Sequence, residues 1–141
     1  MKNNNMSAER LLSSTFTLGA IHSLAVRSVG GVFYFNVEDP KLHGALNESL
    51  DYLTLFASDR VDLRFRIVLD ETTQTSGRLE ADLSNLIFLD QTRGINGSYV
   101  NLEYNSRHYI GRHVLDYITG GKELWQELGP VLAKSFEKRS Y

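Results

Sequence analysis

The chain of 141 residues contains no cysteine. Disulfide bonds, thiolate metal ligands and cysteine nucleophiles are therefore excluded. Proline is almost absent, at Pro40 and Pro130 alone. No apolar run approaches the roughly 18 residues that a membrane-spanning helix needs. Charge of one sign is not in excess either: 15 basic residues face 17 acidic ones, for a net charge of −2. Nucleic-acid binding, which needs a basic face, is not expected. The opening, MKNNNMSAER, lacks the apolar core of a signal peptide. We read residues 1–10 as a disordered polar tail on a single domain covering residues 1–141.

What is present is patterned hydrophobicity. At 61–69, VDLRFRIVL, Val61, Leu63, Phe65, Ile67 and Leu69 alternate with Asp62, Arg64 and Arg66. That is the period of a half-buried strand. A polar stretch ending at Gly77 follows, and a second alternation runs from 78 to 89 through Leu79, Ala81, Leu83, Ile87 and Leu89. Together they predict an antiparallel hairpin, with Arg64 and Arg66 set against Glu80 and Asp82 across the strands. Asn96-Gly97 predicts a tight turn into a further strand carrying Val100, Leu102 and Tyr104. Val32–Val37 reads as a short aromatic strand between Gly30-Gly31 and Pro40. Segment 16–29 fits strand and helix alike, and 41–56 leans towards helix. Beyond Arg107 the period becomes helical. Leu124, Leu128, Val131, Leu132 and Phe136 form one stripe, with Trp125 partly buried at its border. Pro130, following Gly129, either kinks this helix or starts a second one. The predicted class is α+β: a curved antiparallel sheet of four or more strands, packed on or around a long kinked C-terminal helix.

Catalytic signatures are missing. There is no phosphate-binding glycine loop, dinucleotide fingerprint or nucleophile elbow. His22, His43, His108 and His113 are not spaced as zinc ligands and read as surface or hydrogen-bonded side chains. No metal and no cofactor are expected, and an enzyme is the least favoured class.

The order of segments is more specific than any motif. LGAIHSLAVRSVGGVFYF precedes the two alternating runs, NGSYVNLEY follows them, and a helix containing ELGPVLAKSFEKR comes last. This arrangement resembles the group 7 mite allergens and the takeout and juvenile-hormone-binding proteins, within the tubular lipid-binding superfamily. The resemblance implies a curved sheet wrapped about a helix and an apolar ligand held between them. It implies a carrier for a lipid or another apolar small molecule. Its lining would be Phe33, Phe35, Leu63, Phe65, Ile67, Leu83, Ile87 and Leu89 from the sheet. Val114, Leu128, Leu132 and Phe136 would complete it from the helical side. That family is secreted, whereas this opening shows no signal peptide, so no location is assigned. The alternative is a non-enzymatic module, of adaptor or immunity type, that binds a protein through a sheet edge or the C-terminal helix.

Overall fold

A computed structural model describes residues 8–86, 89–93, 100–108 and 112–139. Among them are five α-helices and five short strands. The strands are β1 (Glu9–Leu11), β2 (Val32–Asn36), β3 (Val61–Leu63), β4 (Leu89–Arg93) and β5 (Val100–Asn105). The helices are α1 (Ser13–Val26), α2 (Pro40–Phe56), α3 (Gly77–Ser84), α4 (Val114–Tyr117) and α5 (Gly121–Glu137). β1 pairs with β3 in parallel, and β2, β5 and β4 form an antiparallel sheet in that order. β1 takes up Glu9 and Arg10, the end of the segment read as a tail.

α1 sits at the centre. It carries no Asp, Glu, Lys or Arg between Ser13 and Val26, so nearly every face can be covered. Its hydroxyls turn back onto its own carbonyls: Thr17 donates to Ser13 at 2.8 Å and Ser23 to Gly19 at 2.7 Å. That satisfies them without water. α5, α3, α4, β2 and β5 all pack on it. α2 begins at Asp39, whose carboxylate accepts the Lys41 amide at 2.9 Å, with Pro40 in the first turn. Its Leu42, Leu46, Leu50 and Leu53 point inward, in agreement with the helical reading of 41–56.

α5 lies across both α1 and α2. Leu124, Trp125, Leu128 and Leu132 are buried in that contact. Trp125 is completely enclosed rather than partly buried, and its indole N–H donates to the Thr119 carbonyl at 2.9 Å. Its six-membered ring lies where a Cβ on Gly19 would stand, 2.5 Å away, so only glycine lets the two helices approach this closely. At the rim, Glu127 of α5 accepts from Arg60 and from the Tyr52 hydroxyl, each at 2.9 Å. Lys138 and Arg139 hold Glu48 of α2 at 2.9 and 2.7 Å. They hold its carboxyl down at about 2, with the Lys138 hydrogen bond the larger cause.

The predicted architecture needs correction. No curved sheet of four or more strands is present among the described residues; the larger sheet has three strands. The hairpin of 61–69 with 78–89 does not form. β3 ends at Leu63, and Gly77–Ser84 is a helix. Leu79 and Leu83 fit helical spacing as well as strand spacing, Leu86 extends the helical one, and Ser76 caps the helix by accepting the Leu79 amide at 3.3 Å. Arg64 therefore pairs with its neighbour Asp62, at 2.9 Å, and not across a ladder with Glu80 or Asp82. The strand around Phe33 and Phe35 and the strand through Leu102 and Tyr104 are present and pair with each other. The Asn96-Gly97 turn lies outside the described residues. α5 runs unbroken through Gly129 and Pro130, so Gly129 does not end a helix.

Candidate functional site

A pocket of about 230 Å³ opens between α1, α4 and α5. α1 supplies His22, Ser23, Val26 and Arg27, one turn of its C-terminal half. Arg112, His113, Leu115 and Asp116 come from α4 and the residues before it, and α5 adds Lys122, Trp125 and Gln126. Three cations, Arg27, Arg112 and Lys122, thus surround one cavity beside a single carboxylate. That carboxylate is already engaged, because Asp116 accepts from His113 Nδ1 at 3.2 Å. None of the three cations has an ion pair among the described residues.

The floor is dry. His22 is 2% exposed and Trp125 fully buried. The His22 ring stands edge-on to Tyr104 of β5, with Nδ1 and the phenol oxygen 2.8 Å apart. Burial lowers His22 to about 4 and raises the Tyr104 hydroxyl well above its ordinary range. Both are neutral near pH 7. A neutral imidazole and a phenol can each donate or accept in this contact, so it is satisfied with either nitrogen protonated. The positive potential of the pocket therefore comes from its rim, over a floor without charge.

Arg27 is held near α5 by the absence of a side chain. A Cβ on Gly129 would stand 2.6 Å from its guanidinium. This close approach is what the Gly129-Pro130 pair provides: a bare patch on the helix surface across which an arginine lies.

Other concavities have less chemistry to offer. A groove of about 430 Å³ beside α2 is larger and more open, but its Glu48 and Arg139 neutralise each other at 2.7 Å. A cleft of about 180 Å³ is lined by Ser14, Thr15 and Asp82. Asp82 Oδ2 is shielded from solvent without a hydrogen-bond partner among the described residues. His43 is occupied structurally. Its Nδ1 accepts the Ser76 amide at 2.9 Å, and Nε2 meets the Val37 carbonyl at 2.6 Å.

The residues expected to line a lipid cavity are packed in the core or against it. Phe33 and Phe35 stack with ring centroids 5.7 Å apart, and Phe136 meets Phe33 edge-on at 5.7 Å. Leu83, Leu128 and Leu132 have no exposed surface, and Val114 is buried. Phe65, Ile67 and Leu63 are half-buried against the same core. Leu63 also lines an open groove of about 400 Å³ near β3. Leu89 belongs to β4, and Ile87 lies outside the described residues. Of those whose side chains are described, none lines the cationic pocket. Sequence reasoning missed that pocket because its members come from three distant segments. The one local signal was a histidine within an otherwise apolar helix, His22. No described helix is long and apolar enough to cross a membrane. No protein-family model, curated protein or solved structure matches the chain, so the resemblance to the tubular lipid-binding superfamily rests on the sequence pattern alone.

Proposed function

We propose that the protein binds a small anionic molecule, bearing phosphate or carboxylate, in the pocket between α1, α4 and α5. The supporting observation is the rim of three cations, Arg27, Arg112 and Lys122, without ion pairs among the described residues, around a cavity floored by neutral His22 and Trp125. Low-dielectric walls strengthen the attraction of such a rim for an anion. The volume, about 230 Å³, lies below the roughly 300–1,000 Å³ of drug-sized sites, which favours a compact ligand. An apolar carrier needs space between helix and sheet, and its expected lining residues are instead spent on packing.

The test is thermal unfolding with inorganic phosphate, pyrophosphate and citrate, against sodium chloride at equal ionic strength. A ligand at a hundred times its Kd adds about 2.7 kcal/mol of stability. At least one of the three should raise the melting temperature, and Arg112→Ala should remove the shift. If no anion outperforms chloride, the reading fails.

Gly129→Ala separates binding from folding at this site. The new methyl displaces the flexible end of Arg27 rather than backbone. Alanine also favours a helix by about 1 kcal/mol over glycine. The variant should therefore unfold at or above the wild-type temperature while binding the anion more weakly.

A further inference from the structure

We propose that the open edge of β3 and the segment prolonging it, residues 63–69, form a docking edge for an extended strand of another protein that carries acidic side chains. This inference is independent of the anion pocket.

The segment is built like a strand but, among the described residues, has no partner beyond Arg64. Leu63, Phe65, Ile67 and Leu69 are half-buried, whereas Arg64, Arg66, Val68 and Asp70 are exposed, in strict alternation. The hydrophobic period of the sequence is therefore expressed as an alternation of burial that continues β3. Its backbone is another matter. β1 engages Arg60, whose carbonyl accepts the Glu9 amide, and Arg64, whose amide donates to Leu11, both at 3.3 Å. Peptide groups of alternate strand residues face opposite edges. Leu63 thus directs its N–H and C=O groups to the edge away from β1, and the same alternation carried on from β3 assigns Phe65 and Ile67 to that edge. For Phe65 and Ile67 no backbone hydrogen bond exists among the described residues. Such a row of free groups is a template for strand addition. A groove of about 400 Å³, lined by Thr54, Ser58 and Leu63 among others, adjoins the start of this edge and gives an added strand's side chains room.

Charge selects the occupant. Arg64 is held by Asp62, but Arg66 is exposed and has no ion pair among the described residues. A carboxylate opposite Arg66 is favourable, and Val68, 73% exposed, offers an apolar neighbour. A second copy of this chain, added antiparallel about the centre of the segment, would set Arg66 against Arg66, and like charges directly opposed are unfavourable. The fitting partner is an acidic, alternating strand of a different protein.

The probe is a short peptide alternating valine and glutamate, with its valine–lysine counterpart as control. Amide exchange is followed residue by residue in the intact chain. In the free protein the Phe65 and Ile67 amides should exchange fast. Saturating glutamate peptide should slow them about tenfold, and the lysine peptide should not. Arg66→Glu, on an exposed side chain, should keep the fold and reverse the preference between the two peptides. Slow exchange at both amides in the dilute free protein would overturn the proposal, because the edge would already be paired. So would unchanged exchange with peptide in excess. Protection that grows with protein concentration alone would assign the edge to self-association and overturn it as well.

Discussion

Trp125→Ala should lower the free energy of unfolding by about 3–5 kcal/mol, the largest loss from any single truncation in this protein. The indole ties its helix to α1 and to the turn before α5. It packs on Phe16 with ring centroids 6.3 Å apart, fills the notch left by Gly19, and donates to the Thr119 carbonyl. Alanine removes the packing and leaves that carbonyl without its donor. The partner in the notch gives a sharper form of the experiment. Gly19→Ala would gain about 1 kcal/mol from helix propensity. Its methyl, however, would stand 2.5 Å from a rigid ring boxed in on all sides. Overpacking of this kind costs about 1–3 kcal/mol, so the variant should be net destabilised. The losses should not add: in the double variant Gly19→Ala with Trp125→Ala the clash disappears and the methyl fills part of the void. Chemical denaturation of the four proteins completes the cycle. Strict additivity would mean that the ring and the glycine do not share the space described.

Acidification should weaken the fold at pH values where most carboxylates remain ionised. The unfolded chain protonates His22 near 6.5, the folded protein only near about 4, because burial opposes the charge. Between those limits the unfolded state binds more protons, so stability rises with pH. The contribution is complete above 6.5 and is withdrawn as pH falls towards 4, by about 3 kcal/mol in all. Glu48 acts in a separate, lower window, between its ordinary 4.5 and about 2, and in the same direction. Denaturant titrations at successive pH values should therefore show a slope between pH 6.5 and 4 that His22→Gln largely abolishes. An unchanged slope in that variant would place the titrating group elsewhere.

Some of this structure is legible in the sequence and some is not, for identifiable reasons. β2 and β5 carry aromatic and branched residues between turn signals, and both form as read. The leucine stripe of α2 and the stripe of α5 are unambiguous once a capping aspartate or a helical period is present. Residues 78–89 mislead because Leu79 and Leu83 satisfy both periods, and the serine cap at Ser76 was hidden in a polar stretch that also suits a turn. Residues 64–69 are a subtler case. Period two reports the alternation of burial correctly, but that alternation does not specify a neighbour, so a segment without a ladder among the described residues reads like a hairpin strand. α1 hides its orientation because it is apolar on nearly every side, and with it the placement of His22. The pocket rim joins Arg27, Arg112 and Lys122, whose proximity depends wholly on how α1, α4 and α5 pack.

The position of α5 across α1 and α2 has a consequence during synthesis. Both earlier helices leave the ribosome with apolar surface that is not fully covered until a much later segment arrives: Gly19 of α1 waits for Trp125, and α2 waits for the rest of α5. At roughly 5–20 residues per second, several seconds pass while the segment between α2 and α5 is translated. During that interval the nascent chain is a natural client for chaperones that hold apolar surface, and its yield depends on how quickly translation proceeds to α5. Rare codons between residues 57 and 120 would lengthen the exposure and favour aggregation, without changing a single side chain of the finished protein.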